Sequence, residues 1–370
     1  MSDIIKKLEL YLNNIKSEDK IIVIYHGFCG DGVCSAVITI KSLERILKRK
    51  VDFHFHSPSH EINKELLDLV IKNKIKKVIF VDLYPNYPKE AIKELENYSD
   101  ILVIDHHQYH TDINSEKTLF IHSSFLNKEI QGHNYPASKL TFDLFSKLTD
   151  IEDLDYLACM GLIVDMGYRQ WKDFINQTMK KYNINSENDL EKDQSFDFKN
   201  PLGFGATAIQ LSKRFKDNVE EVFKEVYNSE NYKDIINNKI LLGYKKKIND
   251  EIQFWLKNSD RAEKHGNLII YEIKSKYNIS TTISSVLSID FFPGKTIIVI
   301  REGEEDPLTI SARDQKINIK VNKLLEKAAQ GIKDANVGGH EPAAGGRIKK
   351  EYLGVFKKNL IKAYKELSQS

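Results

Sequence analysis

Four short segments of the chain place aspartate or histidine directly behind apolar residues. These side chains are His26 with Asp31, Asp82, Asp105 with His106 and His107, and Asp165. Carboxylates and imidazoles without a cysteine pair suit Mn²⁺ or Mg²⁺ better than a thiolate-held metal. A carboxylate shared between two such ions, ~3.5–4 Å apart, lowers the pKa of a bound water and stabilises the attacking and leaving oxygens at phosphorus. The pattern therefore predicts metal-assisted hydrolysis of a phosphoester.

Each of these residues also has a structural interpretation. A single aspartate behind a strand, such as Asp82, is usually a helix cap or a turn residue. Two adjacent histidines, His106 and His107, have little structural purpose behind an apolar strand and favour a functional one. Asp165 interrupts an apolar stretch, where an aspartate is costly to bury unless a metal offsets the cost. All four segments together are much less expected by chance than any one of them.

A second candidate site lies near the C-terminus, where four glycines surround one histidine in residues 337–346. Gly338 and Gly339 let backbone amides approach an anion or a sugar closely, and His340 could bind a phosphate or a carboxylate. Ser311 and Arg313 end a predicted strand, where a guanidinium can hold a second phosphate through two hydrogen bonds. The simpler interpretations are a tight turn and a surface arginine.

The first half of the chain alternates short apolar runs with helical patterns. The predicted strands are residues 21–25, 51–55, 78–81 and 101–104, and the predicted helices between them are residues 36–50, 61–74 and 89–97. Continuous apolar runs are typical of strands buried on both faces of a parallel sheet. The series predicts a doubly wound, mainly parallel α/β domain. Ligands of such sheets bind beyond the carboxyl ends of the strands, where the candidate residues lie.

The second half predicts a connector and a smaller α/β domain. Residues 183–200 are polar and, with Pro201 and Gly203 behind them, predict a loop, whereas residues 206–255 show helical patterns. Three further strands follow at residues 268–273, 296–300 and 308–312, with helices at 321–329 and 352–367. The predicted division is a metal-binding catalytic domain at 1–190, a linker and helical connector at 191–262, and a substrate-binding domain at 263–370.

Composition narrows the class of partner and the compartment. The 370 residues include 55 Lys+Arg and 53 Asp+Glu, a net charge of +2, so no extended basic surface for duplex nucleic acid is expected. The three cysteines, Cys29, Cys34 and Cys159, form neither a disulfide framework nor a zinc ribbon, which favours a reducing compartment. The sequence contains no pattern typical of a signal peptide or a membrane anchor, so a cytoplasmic location without a membrane partner is expected.

In order and type, the motifs resemble those of the DHH family of phosphoesterases, in the two-domain branch with a DHH-associated C-terminal domain. The resemblance covers nearly the whole chain. The matching segments are residues 25–32, 81–82 and 105–107, Asp165, Ser311 with Arg313, and residues 338–340. It implies a large lobe with two Mn²⁺ ions and a small lobe that holds a nucleotide or the end of a single strand. Activities in the family include single-strand exonucleases, nanoRNases, phosphoadenosine phosphate phosphatases and cyclic-dinucleotide hydrolases.

The resemblance also implies a role for each residue. His26 would bind the first ion, Asp82 would bridge the two ions, and Asp31, His106 and Asp165 would bind the second. His107 would face the scissile phosphate, and Asp105 would orient its neighbours. The substrate would be bound by Ser311, Arg313, Gly338, Gly339 and His340, with Arg313 also counted among the catalytic residues.

Cys29 departs from the family pattern. The usual first motif has a carboxylate two residues before the aspartate of the Asp-Gly pair, and Cys29 occupies that position. The first metal site would then lack an oxygen ligand, which could weaken Mn²⁺, favour a different ion such as Mg²⁺, or leave a single ion bound.

The sequence therefore predicts a metal-dependent phosphodiesterase that hydrolyses short single-stranded RNA or DNA from one end, as an exonuclease or oligoribonuclease, with metal-activated water. The small net charge agrees with short substrates, because long-strand nucleases gain affinity from an extended basic groove. Local basic clusters at residues 245–247 and 347–350 would suffice. Two alternatives stay open: a phosphatase of small nucleotides such as phosphoadenosine phosphate, and a degenerate paralogue that binds nucleotides without cleaving them. The sequence is also compatible with a homodimer.

Overall fold

The computed structural model describes residues 2–57, 62, 64–83, 89–109, 111–130, 132–184, 200–212 and 218–369. The chain divides into two compact units, Met1–Lys245 and Lys246–Ser370. No helix in these described ranges has the length and apolar character needed to cross a membrane.

The first unit begins as a regular alternation of helices and strands. Its elements up to the fifth strand are α1 (Ser2–Asn13), β1 (Lys20–His26), α2 (Gly30–Leu47), β2 (Phe53–Ser57), α3 (Lys64–Asn73), β3 (Ile75–Val81), α4 (Lys89–Glu96), β4 (Asp100–Asp105) and β5 (Thr118–His122). Helices then dominate: α5 (Ser123–Leu126), α6 (Ala137–Phe145), α7 (Asp155–Val164), α8 (Lys172–Lys181), α9 (Pro201–Ser212), α10 (Val219–Tyr227) and α11 (Tyr232–Ile236).

The five strands form one parallel sheet in the order β2-β1-β3-β4-β5. Alternate residues of β1, β3, β4 and β5 enter two different hydrophobic cores. In β1, for example, Ile21 and Val23 belong to one core, whereas Ile22 and Ile24 belong to the other. Burial on both faces explains the continuous apolar runs in the sequence, and the predicted doubly wound fold is confirmed.

The strand register brings the candidate residues to one edge of the sheet. Tyr25 pairs with Val81, and Val81 pairs with Ile104. His26, Asp82 and Asp105 are the next residues along the chain, and parallel strands end on the same side. The sequence therefore determines that these side chains meet, because consecutive βαβ units all run in the same direction.

Three local predictions need correction. The second strand lies at Phe53–Ser57 rather than 51–55. Helix α2 begins at Gly30 rather than 36, so the glycines beside Asp31 belong to its first turn. The predicted loop residues Pro201 and Gly203 lie in α9, because proline is tolerated at the first helical position and the Asn200 side chain accepts a hydrogen bond from the Gly203 N–H at 2.8 Å. Residues 185–199 of that loop lie outside the described residues.

The helices after the described gap belong to the first unit. α9 packs against α7 and α11, and α10 packs against α2. The boundary of the compact units lies after Lys245, whereas the sequence-based boundaries are at 190 and 262. An amphipathic pattern occurs both in helices that pack on a domain and in helices that connect two domains. The pattern alone therefore does not locate a domain boundary.

The second unit contains a six-stranded mixed sheet in the order β10-β11-β9-β8-β7-β6. Helix α12 (Lys239–Lys257) crosses the division between the two units. The elements that follow it are β6 (Glu263–His265), β7 (Leu268–Lys274), α13 (Ser280–Val286), β8 (Thr296–Glu302), β9 (Leu308–Arg313), α14 (Val321–Ala328), β10 (Asn336–Gly339), β11 (Ala343–Ile348) and α15 (Leu353–Leu367). One face of the sheet packs against α14 and α15 in a separate hydrophobic core. This is the predicted smaller α/β unit, although β10 and β11 were expected only as a turn and one last strand.

Candidate metal centre and anion-binding strand

The turn between β1 and α2 holds the first candidate residues. The Cys29 N–H donates to the His26 carbonyl at 3.2 Å, so the chain turns sharply into the helix. A methyl group on Gly32 would overlap the His26 carbonyl oxygen and lie 2.9 Å from Asp82 Oδ2. Glycine is therefore required where α2 approaches the ends of β1 and β3.

Asp31 is fully buried and caps another helix. Its Oδ2 accepts a hydrogen bond from the Ala137 N–H at 2.6 Å, and its Oδ1 accepts one from the Ser138 N–H at 3.1 Å. These N–H groups belong to the first turn of α6, where backbone donors lack helical partners. Burial raises the pKa of Asp31 to about 7, and the charges of Asp82 and Asp165 add to this effect. A cation nearby would remove that repulsion.

Asp82 follows β3 in a left-handed backbone conformation with φ of 54° and is only 1% exposed. This conformation is strained for a residue with a Cβ, and such strain concentrates at functional sites. Neither of its buried carboxylate oxygens accepts a hydrogen bond from the described residues. Ring nitrogens lie close by, with His106 Nε2 3.2 Å from Oδ1 and His26 Nδ1 3.9 Å from Oδ2. A buried carboxylate with so few donors is typical of a cation ligand.

His106 is buried and has one ring nitrogen directed at two carboxylates. Its Nδ1 lies 3.2 Å from the Gly132 carbonyl oxygen and can only donate to it. Nε2 then faces Asp82 and, at 3.5 Å, Asp165 Oδ2. Burial opposes protonation of His106, but the carboxylates of Asp82, Asp165 and Asp105 raise its pKa well above the usual value. A bound cation would take the place of that proton at Nε2.

Asp105 and His107 form a hydrogen-bonded pair at the end of β4. The His107 Nδ1–H donates to Asp105 Oδ1 at 2.9 Å, and the His107 backbone N–H donates to Oδ2 at 3.1 Å. Burial opposes ionisation of Asp105, but this hydrogen bond and the histidine charges hold its pKa below the usual value. Burial also opposes protonation of His107, yet its pKa is raised to about 9, mainly by Asp105. With its side chain 39% exposed, His107 can reach a bound molecule.

Asp165 lies directly after α7. Its backbone N–H donates to the Gly161 carbonyl at 3.0 Å, which fixes the end of the helix, and its carboxylate remains about one-third exposed. Burial raises the pKa of Asp165 to about 6, with Asp82 adding to the shift and His106 opposing it. Its position brings a second carboxylate to His106 Nε2, beside that of Asp82.

Two groups of three side chains can each surround one ion. They are Asp82 with His106 and His107, and Asp31 with His106 and Asp165, and within each group the ligand atoms lie within 4.8 Å of one another. His26 and Cys29 belong to neither group, as far as the described residues show. The donor set of carboxylate oxygens and imidazole nitrogens fits Mn²⁺ or Mg²⁺. The resemblance to the family implies that His107 contacts the substrate. The structure also places it at metal-ligand distance from Asp82 and His106.

The second unit places its candidate residues on β9 and on the β10–β11 hairpin. Ser311 is buried, and its hydroxyl lies 2.9 Å from that of Ser284 on α13. The half-buried Arg313 donates from Nε to Ser285 Oγ at 3.3 Å and from Nη1 to the Ala312 carbonyl at 2.8 Å. Both side chains lie on the sheet face opposite α14 and α15, because Ala312 between them enters the core on that side.

The glycine-rich segment forms the end of that hairpin. The His340 N–H donates to the Ala343 carbonyl at 2.8 Å, which closes a tight turn. Gly339 has φ of 133°, a conformation that side chains rarely adopt, and a Cβ there would lie 2.7 Å from the Ala343 oxygen. Gly338 pairs with Gly345, which pairs with Ser311, so the glycines continue the row of the candidate serine. The hairpin is therefore a turn and also exposes backbone beside Ser311.

The sequence of the second unit matches a known family model. Residues 267–368 match the DHHA1 domain. The matched residues run from β7 to α15 and include Ser311 and Arg313 on β9 and the glycine-rich β10–β11 hairpin. No curated protein sequence matches the chain.

Solved structures show the same fold over the whole chain. A DHH-domain protein described as a member of the s1p family of ribosomal proteins has a TM-score of 0.70 at 15% identity, covering 100% of this chain and 91% of the other. RecJ from Thermus thermophilus in complex with Mn²⁺ has a TM-score of 0.67 at 15% identity, covering 98% of this chain and 54% of RecJ. A RecJ exonuclease bound to manganese gives 0.66 at 15% identity, with 98% and 94% covered.

These comparisons confirm the predicted resemblance at the level of the fold. The chain shares with these structures a parallel sheet followed by a second unit that matches the DHHA1 model, and it spans about half the length of the Thermus RecJ.

Sequence reasoning missed the residues that hold the candidate ligands in place. The Gly132 carbonyl accepts from His106, and Gln210 Oε1 accepts from the Gly30 N–H at 2.9 Å. Gly161 lies against Asp31 and Ser138, where a methyl group would overlap the Ser138 hydroxyl. Backbone carbonyls and isolated glycines carry no pattern in a single sequence, so only the assembled structure identifies these contacts.

Proposed function

We propose that the protein is a divalent-metal-dependent phosphoesterase that hydrolyses short single-stranded oligonucleotides from one end. The observation that carries this proposal is the convergence on His106 of carboxylates from three separate segments. Asp82 is buried with its Oδ1 3.2 Å from His106 Nε2, and Asp165 Oδ2 lies 3.5 Å from the same imidazole nitrogen. Asp31 is the third carboxylate within ligand distance of His106. A cluster of this composition has the ligands of a Mn²⁺ or Mg²⁺ site.

Asp82 and His107 would hold one ion, Asp31 and Asp165 would hold a second, and Nε2 of His106 would bind one of the two. When bound, such ions activate a water and neutralise the charge that develops at phosphorus. Asp31 keeps its place through α6, and His106 keeps its ring orientation through Gly132. The chain thus holds its ligands before the metal arrives, which favours catalysis because no reorganisation is needed.

The Asp105–His107 pair supports a role in substrate binding. Asp105 accepts the Nδ1 proton of His107 and so fixes the orientation of the ring and of Nε2. In its protonated form, His107 can donate from Nε2 to a phosphate oxygen. The buried Asp105 stabilises that charged form and orients the ring.

The DHHA1 domain supports recognition of a phosphorylated substrate. The guanidinium of Arg313 and the exposed backbone at Gly338 and Gly345 are suited to an anion and the sugar attached to it. RecJ, with which the chain shares its fold, is described as an exonuclease. The small net charge of +2 favours a short substrate over a long strand.

The test is hydrolysis of 5′-labelled RNA and DNA, from dinucleotides to about twenty nucleotides, which exceeds the usual length of a single-strand site. We expect cleavage from one end with Mn²⁺ or Mg²⁺, none with chelator, and none with Asp82→Asn. Asp68→Asn, on the exposed side of α3, makes the same change away from the cluster and should cleave normally. Metal-independent cleavage, or full activity of Asp82→Asn, would refute the proposal.

One observation favours a second candidate function, nucleotide binding without hydrolysis. Cys29 occupies a usual carboxylate position and joins neither ligand group. If the wild-type protein cleaves no oligomer and releases no phosphate from phosphoadenosine phosphate, Cys29→Asp should then create metal-dependent activity. Activity of the wild type would exclude this candidate.

A further inference from the structure

The DHHA1 domain carries two arginines that the proposed function has not yet used. Arg301 on β8 pairs with Thr309 on β9, which pairs with Arg347 on β11. Arg347 in turn pairs with Asn336 on β10. Directly paired residues of antiparallel strands point to the same face of a sheet. Four polar side chains therefore form a row across four adjacent strands.

The two guanidinium groups of this row lie near each other without a carboxylate between them. Arg301 donates from Nη2 to Thr309 Oγ1 at 2.8 Å and from Nη1 to the Ser275 carbonyl at 2.9 Å, while its Nε is buried without a hydrogen-bond partner. Burial and the charge of the exposed Arg347 both lower the pKa of Arg301. Within the described ranges, neither guanidinium has a carboxylate within 4.0 Å.

Two of the acidic residues that follow Arg301, Glu302 and Asp306, are engaged elsewhere. Glu302 forms ion pairs with Lys350 at 2.7 Å and Lys274 at 3.9 Å. Asp306 Oδ1 accepts the Lys350 backbone N–H at 2.8 Å. These carboxylates therefore do not neutralise the arginine pair. An anion bound between the two guanidiniums would relieve their repulsion and receive charge-assisted hydrogen bonds.

The row of Arg301, Thr309 and Arg347 lies on the same sheet face as Ser311 and Arg313, the candidate anion-binding residues of β9. Thr309, Ser311 and Arg313 are alternate residues of β9 and point to one side, whereas Leu308 and Ile310 enter the core on the other. At ~3.4 Å per residue, the row of Thr309 is ~13 Å from that of Arg313. Two phosphate groups can therefore be bound at once, one at each end.

The surface between the two ends lacks side chains on the neighbouring strands. Gly345 of β11 and Gly338 of β10 lie in the row of Ser311, midway between the arginine rows. A Cβ placed on Gly338 would contact nothing within 4 Å. This open backbone leaves room for a sugar and a base between two bound phosphates, which a compact polyphosphate chain would not need.

We propose that Arg301 and Arg347, with Thr309, form a second phosphate subsite for an oligonucleotide that places another of its phosphates, more than one nucleotide along the strand, at Ser311 and Arg313. This inference rests on the proposed function and deepens it. It assigns recognition of a polynucleotide backbone to the sheet face of the DHHA1 domain. The subsite makes the protein select oligonucleotides over mononucleotides.

The test is binding of a fluorescent, 5′-phosphorylated oligoadenylate of about eight nucleotides, measured by anisotropy in chelator so that no cleavage occurs. Arg347→Gln is the informative variant, since this exposed side chain can be changed without disturbing the core. We expect oligoadenylate to bind about tenfold more weakly, with a salt dependence reduced by about 0.7. Displacement by adenosine monophosphate should be unchanged.

The matched control is Lys362→Gln, which removes one exposed charge from α15, on the other side of the sheet. It should bind like the wild type. Unchanged oligoadenylate binding by Arg347→Gln, or an equal loss for adenosine monophosphate, would overturn the subsite. The subsite would also be overturned if Arg347→Gln weakened the binding of inorganic polyphosphate but not that of oligoadenylate, because the arginines would then bind a different polyanion.

Hydrolysis of the same oligomer with Mn²⁺ separates the two proposals. If Arg347→Gln weakens binding while the wild type cleaves nothing, the subsite holds and the phosphoesterase proposal fails. If the wild type cleaves and Arg347→Gln binds and cleaves equally well, the phosphoesterase proposal holds and the subsite fails.

Discussion

At the scale of residues, the first unit contains more ionisable groups in one place than a folded protein normally tolerates. Asp31 and Asp82 are almost completely buried, and each lies near Asp165 or His106. Burial, together with the charge of the neighbouring carboxylates, raises the pKa of Asp31 and of Asp165, as expected when like charges share a site. Such an arrangement is typical of a site that is completed by a cation.

The pKa shifts predict how metal binding depends on pH. Without metal, Asp31 titrates at about 7 and Asp165 at about 6, and the pKa of His106 is raised. Since ions bind only the deprotonated groups, Mn²⁺ affinity should rise with pH from 5 through 7 and continue to rise above it as the histidines lose their protons, and binding at pH 7 should release at least one proton. Calorimetry in two buffers of different ionisation enthalpy measures this number. A pH-independent affinity between pH 5 and 7 would contradict the expectation.

The same shifts predict the stability of the metal-free protein. An aspartate with a folded pKa of about 7 and an unfolded pKa of about 3.9 binds its proton more tightly in the folded state. Its contribution to the free energy of unfolding is therefore full below pH 4 and is lost as the pH rises through 7. Asp165 acts in the same direction. Added Mn²⁺ should offset this loss of stability, because the ion neutralises the negative charge of the carboxylates once they are deprotonated.

At the scale of elements, the site depends on how closely helix α2 approaches the strand ends. The helix begins only four residues after His26, and Gly32 lies directly against the β1 carbonyl and Asp82. A second helix, α6, is tied to the same place because its N-terminus is capped by Asp31. The two helices and the sheet thus hold the carboxylates against their own repulsion.

Gly32→Ala should therefore be strongly destabilising. The added methyl group would overlap the His26 carbonyl, and shifting the helix or the strand in a packed core costs about 1–3 kcal/mol or more. Urea denaturation in chelator measures the free energy of unfolding, and metal binding should weaken as well. Gly243→Ala is the matched control, because a Cβ there contacts nothing within 4 Å in α12. It should stabilise by up to about 1 kcal/mol. Similar effects of the two variants would contradict this interpretation.

At the scale of the whole molecule, the two units have separate hydrophobic cores and separate chemistry. The metal-ligand groups lie entirely within Met1–Lys245, whereas the arginine rows lie within Lys246–Ser370. Each unit also contains one of the two tryptophans, Trp171 in the first and Trp255 in the second. The chain therefore carries its own reporter for each unit.

Metal should stabilise only the first unit directly. At a free concentration of about one hundred times the dissociation constant, Mn²⁺ should add about 2.7 kcal/mol to the unit that binds it. In a Trp255→Phe variant, the Trp171 fluorescence should show this shift in urea. In a Trp171→Phe variant, the Trp255 fluorescence should show a much smaller one. Asp82→Asn should abolish the shift at Trp171, and equal shifts at both tryptophans would show that the units unfold together.

The sequence by itself determined the parallel sheet, the order of its elements and the edge at which Asp82, Asp105 and His106 meet. Apolar runs buried on two faces, followed by polar residues, leave few other arrangements. The strand and helix patterns of the second half predicted the smaller α/β domain, and the resemblance of the motifs predicted its family, which the match at residues 267–368 confirms.

Only the tertiary structure decided which atoms face each other. Three examples depend on contacts between segments far apart in the chain. Asp31 caps α6, Gly132 orients His106, and Cys29 joins neither ligand group. The row of Arg301, Thr309 and Arg347 likewise depends on strand register. Side-chain patterns specify which face of an element is buried, but register and close backbone approach depend on packing between distant segments, which no local pattern records.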